Sequence, residues 1–238
     1  MGWFKHWFGT RYYTLLYGHR DEEDARQWVD AILDRWDPPP GSALLDLACG
    51  RGRHAAFFAE AGLKVTGLDI SESSIQEAKE HVPDADFVVH DMREPFRPGT
   101  FDAVCCLFTS LGYFDDIADD RAVFRAVLDA LKPGGRFVLD FMNTGAVLRD
   151  LVAEEHLRKE GVEFAIRRSC DRGVLVKCIT VHDGADSHRF EERVQALTPE
   201  QLETMALETG FEVEARTDGP DLVPFDPVRS QRFVLWMR

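Results

Sequence analysis

The stretch Leu44-Leu45-Asp46-Leu47-Ala48-Cys49-Gly50-Arg51-Gly52-Arg53-His54 puts a carboxylate inside an apolar run and two glycines just behind it. Glycines at a strand-to-helix turn let the backbone bend tightly and approach a ligand, and the helix start beyond them offers unpaired N–H groups. Asp69 follows Gly50 by 19 residues and ends the next apolar run. A carboxylate there can accept hydrogen bonds from both hydroxyls of a ribose. Val88-Val89-His90-Asp91-Met92 closes a third run with another carboxylate. Asp91 is placed to accept from an adenine amino group while the Met92 backbone N–H meets a ring nitrogen. Alone, Gly50-x-Gly52-x-x-Ala55 fits a dinucleotide loop or a plain turn. Three such groups at the ends of successive strands point to a nucleoside site.

The elements that must position these groups follow from hydrophobic periodicity. Ala25, Trp28, Val29, Ile32, Leu33 and Trp36 form one apolar stripe of a helix over 21–36, acidic in its first turn and ended by Pro38-Pro39-Pro40-Gly41. Strands are expected at 43–47, 64–69, 86–90, 101–107 and 136–141, and helices at 53–61, 72–82 and 119–131. Strands alternating with helices over short connections give an α/β doubly wound, mostly parallel sheet. From about residue 160 the apolar residues alternate singly with polar ones, and Asp171-Arg172-Gly173 and Asp183-Gly184 supply turns. Antiparallel strands at 162–166, 174–181 and 189–197, laid onto the main sheet as a cover, are the reading. Thr198, Pro199 and Gln201 then open a helix with a capping box, Gly210 ends it, and strands at 211–216 and 232–237 finish the chain.

With 238 residues the chain is read as a single domain large enough to bury its own core. The net charge of −14 speaks against a nucleic-acid partner. The five cysteines lack CxxC spacing, which reads as reduced thiols of a cytoplasmic protein. No apolar run reaches membrane-spanning length and no secretory signal opens the chain, so no membrane partner is expected. The histidines show no ligand spacing and no metal is expected.

LLDLACGRGRHA (44–55), VTGLDIS (65–71), VVHDMRE (88–94), FDAVCCLFTSLGYF (101–114) and LKPGGRFVLDF (131–141) together resemble the class I S-adenosylmethionine-dependent methyltransferases. The marks are Asp46 followed by A-C-G-x-G and the Leu-Lys-Pro-Gly-Gly turn. The resemblance implies the family's seven-stranded Rossmann-like sheet, with an antiparallel last strand and an N-terminal helical cap. It implies S-adenosylmethionine as cofactor, S-adenosylhomocysteine as product, and an amine nitrogen or hydroxyl oxygen of a small molecule as acceptor. Asp46 and the loop Ala48, Cys49, Gly50, Gly52 would hold the methionine part, the two glycines permitting close approach. Asp69 would take the ribose hydroxyls, Ile70 would pack on the adenine, and Asp91 and Met92 would read its edge. Phe108 and Thr109 would approach the methyl-transfer zone. Tyr13 and Tyr17 resemble the N-terminal segment that amino-sugar N-methyltransferases and glycine N-methyltransferase-like enzymes fold over the cofactor. The organisation implied is a cap or lid at 1–40, a cofactor-binding core at 43–142, a substrate-covering insertion at 160–197 and a closing segment at 198–238. The amide-directed N/D-P-P-Y/F motif is absent after the fourth strand, which weakens a DNA-base or glutamine acceptor.

Candidates for a general base at the mouth are His19, Tyr113, Asp140 and Asn143. Each has a plainer reading: His19 as a solvated loop residue, Tyr113 packed with Phe114, Asp140 bonded to backbone at a strand end. Tyr13 and Tyr17 also read as staples holding the N-terminal segment on the core, and His54 as a helix-starting residue without a chemical part. The rivals are a nicotinamide-dependent oxidoreductase, opposed by Asp46 and the Leu-Lys-Pro-Gly-Gly turn, and a non-catalytic cofactor-binding module. The 160–197 strands offer an edge for homodimer pairing. Valine at position 52 is expected to block the cofactor sterically.

Overall fold

The computed structural model describes residues 7–18 and 22–238. The elements are α1 (Arg11–Tyr17), α2 (Glu22–Trp36), β1 (Ala43–Leu47), α3 (Arg53–Glu60), β2 (Lys64–Asp69), α4 (Glu72–His81), β3 (Asp86–Val89), β4 (Phe101–Cys106), α5 (Ile117–Ala130) and β5 (Leu131–Met142). They continue with α6 (Thr144–Arg149), β6 (Glu154–Lys159), β7 (Val162–Asp171), β8 (Val174–Asp183), β9 (Asp186–Gln195), α7 (Pro199–Thr209), β10 (Val213–Asp218), β11 (Val223–Pro224) and β12 (Arg232–Met237).

The main sheet runs β11-β10-β12-β5-β4-β1-β2-β3. The five strands from β1 to β5 are parallel, and β12 runs antiparallel to both β5 and β10. From β1 the chain builds outward to β2 and β3, then returns to place β4 on β1's other side. Ligands bind at the carboxyl ends of strands at such a switch point. Two apolar layers sandwich the sheet. One packs α5 and α7 through Phe124, Val127, Leu202 and Met205; the other packs α2, α3 and α4 through Trp28, Ile32, Phe58 and Ile75. Each such fully buried large side chain contributes about 1.5–3 kcal/mol.

The structure corrects the expectation at several points. Among the described residues the sheet has eight strands rather than seven, because the two-residue β11 pairs with Thr217 and Asp218. Pro224 lacks an N–H, so β11 can only be an edge. The four strands between residues 154 and 195 form a sheet of their own, in the order β6-β7-β8-β9. Its edge strand β6, EEHLRK, was invisible to hydrophobic patterning; its single apolar residue, Leu157, sits opposite Phe164. The expected 1–40 cap is divided between two bodies. Trp7 and Leu16 pack with Phe164, Ile166, Ile179 and Val181 on the four-stranded sheet, whereas Trp28, Val29, Ile32 and Trp36 of α2 belong to the main core. The capping box at Thr198 and Gln201 and the left-handed Gly210 are as expected.

Asp120, on the first turn of α5, is fully buried. One oxygen accepts the Gly112 N–H at 2.9 Å, and Oδ2 has no partner among the described residues. Burial, with Asp119 and Asp116 close by, pushes its carboxyl from 3.8 up to about 7. The folded chain therefore keeps a proton there that the unfolded chain releases near pH 4. Stability from this group is full below pH 4 and is lost as pH rises toward 7. Asp120→Asn keeps an acceptor for Gly112 and should flatten that slope, measured by urea unfolding at pH 5 and pH 8. An unchanged slope would place the titration elsewhere.

Candidate active site

A cavity of about 600 Å³ opens over the carboxyl ends of β1, β2 and β4 and is closed from above by α1 and β9. Asp46 stands at its floor. Burial, reinforced by the nearby Asp69 carboxylate, pushes Asp46 up to about 7, and its Oδ2 is buried with no partner among the described residues. Beyond Asp46 the backbone is left-handed at Ala48 (φ 59°), Gly50 (φ 55°) and Gly52 (φ 79°). A Cβ on Gly50 would meet nothing within 4 Å, so the loop there leaves room for a ligand. A Cβ on Gly52 would lie 2.9 Å from Phe87 Cζ and 3.2 Å from Ala78 Cβ. Gly52 does not line the cavity; its missing side chain lets the loop pack on β3 and α4, which corrects the expected reason for its requirement.

Asp69 organises the same loop. Its Oδ2 accepts the Gly50 N–H at 2.9 Å and its Oδ1 the Ser71 N–H at 2.8 Å, and burial raises its pKa against the pull of those donors. Ile70 and Met92 lie along the cavity beside it. Asp91 is clasped by Arg93, which donates from Nε at 3.0 Å and Nη2 at 2.6 Å while its Nη1 reaches Asp119 at 2.9 Å. Those bonds hold the Asp91 carboxyl below its ordinary value, so it stays ionised at the cavity wall.

Phe108 and Thr109 follow β4 with φ of 60° and 59°, two consecutive residues in the left-handed region. Such strain persists only where the surroundings over-determine it. Here Asp140 does so: it accepts the Phe108 N–H at 2.8 Å, and its carbonyl accepts the Thr109 N–H at 3.1 Å. Arg232 grips the same carboxylate in two places, Nε to Oδ1 at 2.8 Å and Nη2 to Oδ2 at 2.6 Å, and reaches Thr109 Oγ1 at 3.0 Å. The Phe108 ring rests 5.0 Å from the His54 ring and 4.9 Å from the Arg53 guanidinium carbon.

The roof is fastened by a second network. Glu192 of β9 accepts from Trp7 Nε1 at 2.6 Å and from Tyr17 Oη at 2.6 Å, and Lys177 Nζ donates to Tyr17 Oη at 2.5 Å. Tyr13 packs between Phe8 and Tyr17 with ring centroids 5.0 Å and 4.9 Å away.

The structure thus brings Tyr13, Tyr17, Asp46, Ala48, Cys49 and Gly50 to one cavity with Asp69, Ile70, Asp91, Met92, Phe108, Thr109 and Tyr113. Asp140 lies behind it, fully buried and paired with Arg232. Asn143 is spent on the carbonyls of Pro227 and Ser230. His19 lies outside the described residues. Sequence reasoning missed Arg232 and Glu192. Both are ordinary charges in sequence; only the antiparallel direction of β12 and the folding of β9 over α1 bring them to the cavity.

Residues 44–135 match the methyltransferase domain family. The chain is 31% identical over 219 residues to a dTDP-3-amino-3,4,6-trideoxy-alpha-D-glucopyranose N,N-dimethyltransferase of Streptomyces venezuelae, covering 87% of this chain and 92% of that protein. It is similar in structure to an S-adenosylmethionine-dependent methyltransferase from Clostridium acetobutylicum (TM-score 0.82, 20% identity, 95% of each chain). It is also similar to an amino pentose methyltransferase from Micromonospora echinaspora, solved with S-adenosylmethionine bound (TM-score 0.73, 25% identity, 96% of this chain and 98% of that one). The chain belongs to the class I S-adenosylmethionine-dependent methyltransferases. Its activity is methyl transfer to a small-molecule acceptor.

The cavity fits that cofactor: an orphaned carboxylate oxygen at the floor, an open glycine face, and carboxylates at the ends of β2 and β3 lie along one crevice. Asp69→Ala should lower affinity for S-adenosylhomocysteine by about 1–3 kcal/mol, the scale of a buried hydrogen-bond partner lost. The Gly50 loop loses its anchor at the same time. Calorimetric titration checks this, and wild-type affinity in the variant would remove Asp69 from the site.

Proposed function

We propose that this methyltransferase acts on the amino nitrogen of a sugar or sugar-like small molecule that carries an anionic group. The supporting observation is that likeness to the amino-sugar N,N-dimethyltransferase spans 87% of the chain, beyond the cofactor core common to the class. The cavity has the chemistry for such an acceptor. Glu192 brings a carboxylate suited to an amine, and Arg232, its Nε and Nη2 committed to Asp140 and Thr109, is a cation beside the transfer zone.

When bound, the cofactor supplies a methyl group on a sulfonium sulfur, which the acceptor's lone pair displaces in line. The chain's own work is to position and desolvate. The Phe108–Thr109 turn, fixed by Asp140, shapes the floor where acceptor and cofactor meet. Asp140 has its oxygens committed to Arg232 and Phe108 and serves as a positioning residue rather than a base. Tyr113, half-buried on the cavity wall, is the described candidate base for an amine that arrives protonated. Residues 7–18, with the four-stranded sheet, act as the lid over both ligands. The cytoplasm is the proposed compartment, consistent with buried free thiols at Cys49, Cys105 and Cys106; among the described residues no helix is long and apolar enough to cross a membrane.

The test is incubation with S-adenosylmethionine and a panel of nucleotide-linked amino sugars beside their hydroxyl counterparts, read by mass spectrometry for added methyl groups. Methylation of the amino compounds alone supports the reading. Turnover of the hydroxyl compounds alone would move the acceptor atom to oxygen.

A further inference from the structure

Two polar groups in the cavity wall are buried without a partner among the described residues: Asp46 Oδ2 and His54 Nε2. His54 is 8% exposed. Asp46 lies near the end of β1 and accepts the N–H of Ala55, the residue after His54, so both residues belong to the β1–α3 junction that lines the cavity. Buried polar groups are ordinarily hydrogen-bonded, and each exception needs an explanation. Two of them in the wall of one ligand cavity are explained by a ligand that completes both. The His54 ring is fixed against Phe108, which the Asp140–Arg232 pair holds in turn.

The sign of the missing partner follows from the charges. The corner holds two carboxylates, Asp46 and Asp69, against one cation, Arg53, so a ligand carboxylate would be repelled on balance, whereas an ammonium is attracted and carries several N–H donors. Burial, assisted by the adjacent Arg53, lowers His54 to about 3, so the imidazole is neutral at physiological pH and keeps a lone pair to offer. A protonated ring would repel the same group.

We propose that His54 is a cofactor-positioning residue, which together with Asp46 receives the α-ammonium of the cofactor's methionine arm. Asp46 supplies the charge, and the imidazole supplies a second, uncharged acceptor that fixes the direction of the arm toward Phe108.

The test compares two ligands that differ at this group. S-adenosylhomocysteine carries the amino acid; 5′-methylthioadenosine keeps adenine, ribose and sulfur without it. By calorimetric titration, His54→Leu should bind S-adenosylhomocysteine at least tenfold more weakly and 5′-methylthioadenosine as the wild type does. His54→Asn, which restores an acceptor oxygen, should recover part of the loss. Equal weakening toward both ligands would show that His54 acts only through the fold, and no weakening toward either would show that it makes no contact; each overturns the proposal. Should His54→Leu fail to fold, nitrogen-15 NMR of histidine-labelled wild-type protein decides. The unprotonated His54 nitrogen should shift upfield on adding S-adenosylhomocysteine and not on adding 5′-methylthioadenosine, and identical spectra with the two ligands would overturn it.

Discussion

Asp140→Ala is expected to lower folding stability by about 3–5 kcal/mol, the cost of breaking a buried ion pair by removing one partner. Asp140 is fully buried, and its carboxylate satisfies Arg232 Nε, Arg232 Nη2 and the Phe108 N–H together. The Arg232 side chain keeps 28% of its exposure, so it recovers some hydration and the loss should fall toward the lower end of that range. A second effect accompanies the first. Two consecutive non-glycine residues with positive φ store about 1–3 kcal/mol each, and without Asp140 the Phe108–Thr109 turn is free to relax. Cofactor affinity should therefore fall as well, even though Asp140 does not line the cavity. Urea unfolding and titration with S-adenosylhomocysteine measure the two effects. A variant of unchanged stability would mean that Arg232 and the turn are held by something other than Asp140.

Gly52→Val is expected to cost about 2–5 kcal/mol of stability, combining the left-handed penalty for a side chain with overpacking of a filled core. The new Cβ would sit 2.9 Å from a ring carbon of Phe87, which is itself buried, and the β-branch would deepen the clash. Loss of cofactor binding would follow from the displaced loop rather than from contact with the cofactor. Gly50→Ala makes the contrast, since its Cβ projects into open space. That variant should fold with a smaller stability loss, about 1–2 kcal/mol for its positive φ, while binding the cofactor more weakly. If Gly52→Val melts at the wild-type temperature yet binds nothing, Gly52 faces the cofactor and the packing account fails.

Much of the site was legible because it is local. Asp46, the two loop glycines, Asp69 and Asp91 sit at strand ends that hydrophobic runs mark, and parallel pairing carries successive strand ends to one edge of a sheet. Their geometry follows from chain order and the right-handed crossover. The element boundaries near them are sharp for the same reason: Lys64–Asp69 ends where its apolar run ends. Local rules also explain the helix at Pro199, whose capping box needs only residues three apart.

What the sequence could not disclose depends on which way distant segments come home. Arg232 opens β12, and only the antiparallel direction of that strand returns it to the ends of β4 and β5 to hold Asp140. Glu192 is one charge among several in DSHRFEERVQ until β9 folds over α1 and sets it against Trp7 and Tyr17. β6 carries too little apolar surface to mark itself and exists because β7 offers it an edge. His54 follows the glycine loop in plain view, yet its meaning comes from burial in the cavity wall it shares with Asp46, which leaves a neutral imidazole and a carboxylate oxygen unpartnered there. Sequence by itself pointed to a nucleoside site, and its resemblance to a family to the cofactor, because the motif residues stand at fixed offsets along consecutive βα units. The tertiary structure alone decided what braces that site and closes it, because the Arg232 and Glu192 contacts join residues separated by 92 to 185 positions, whose meeting only the packed core enforces.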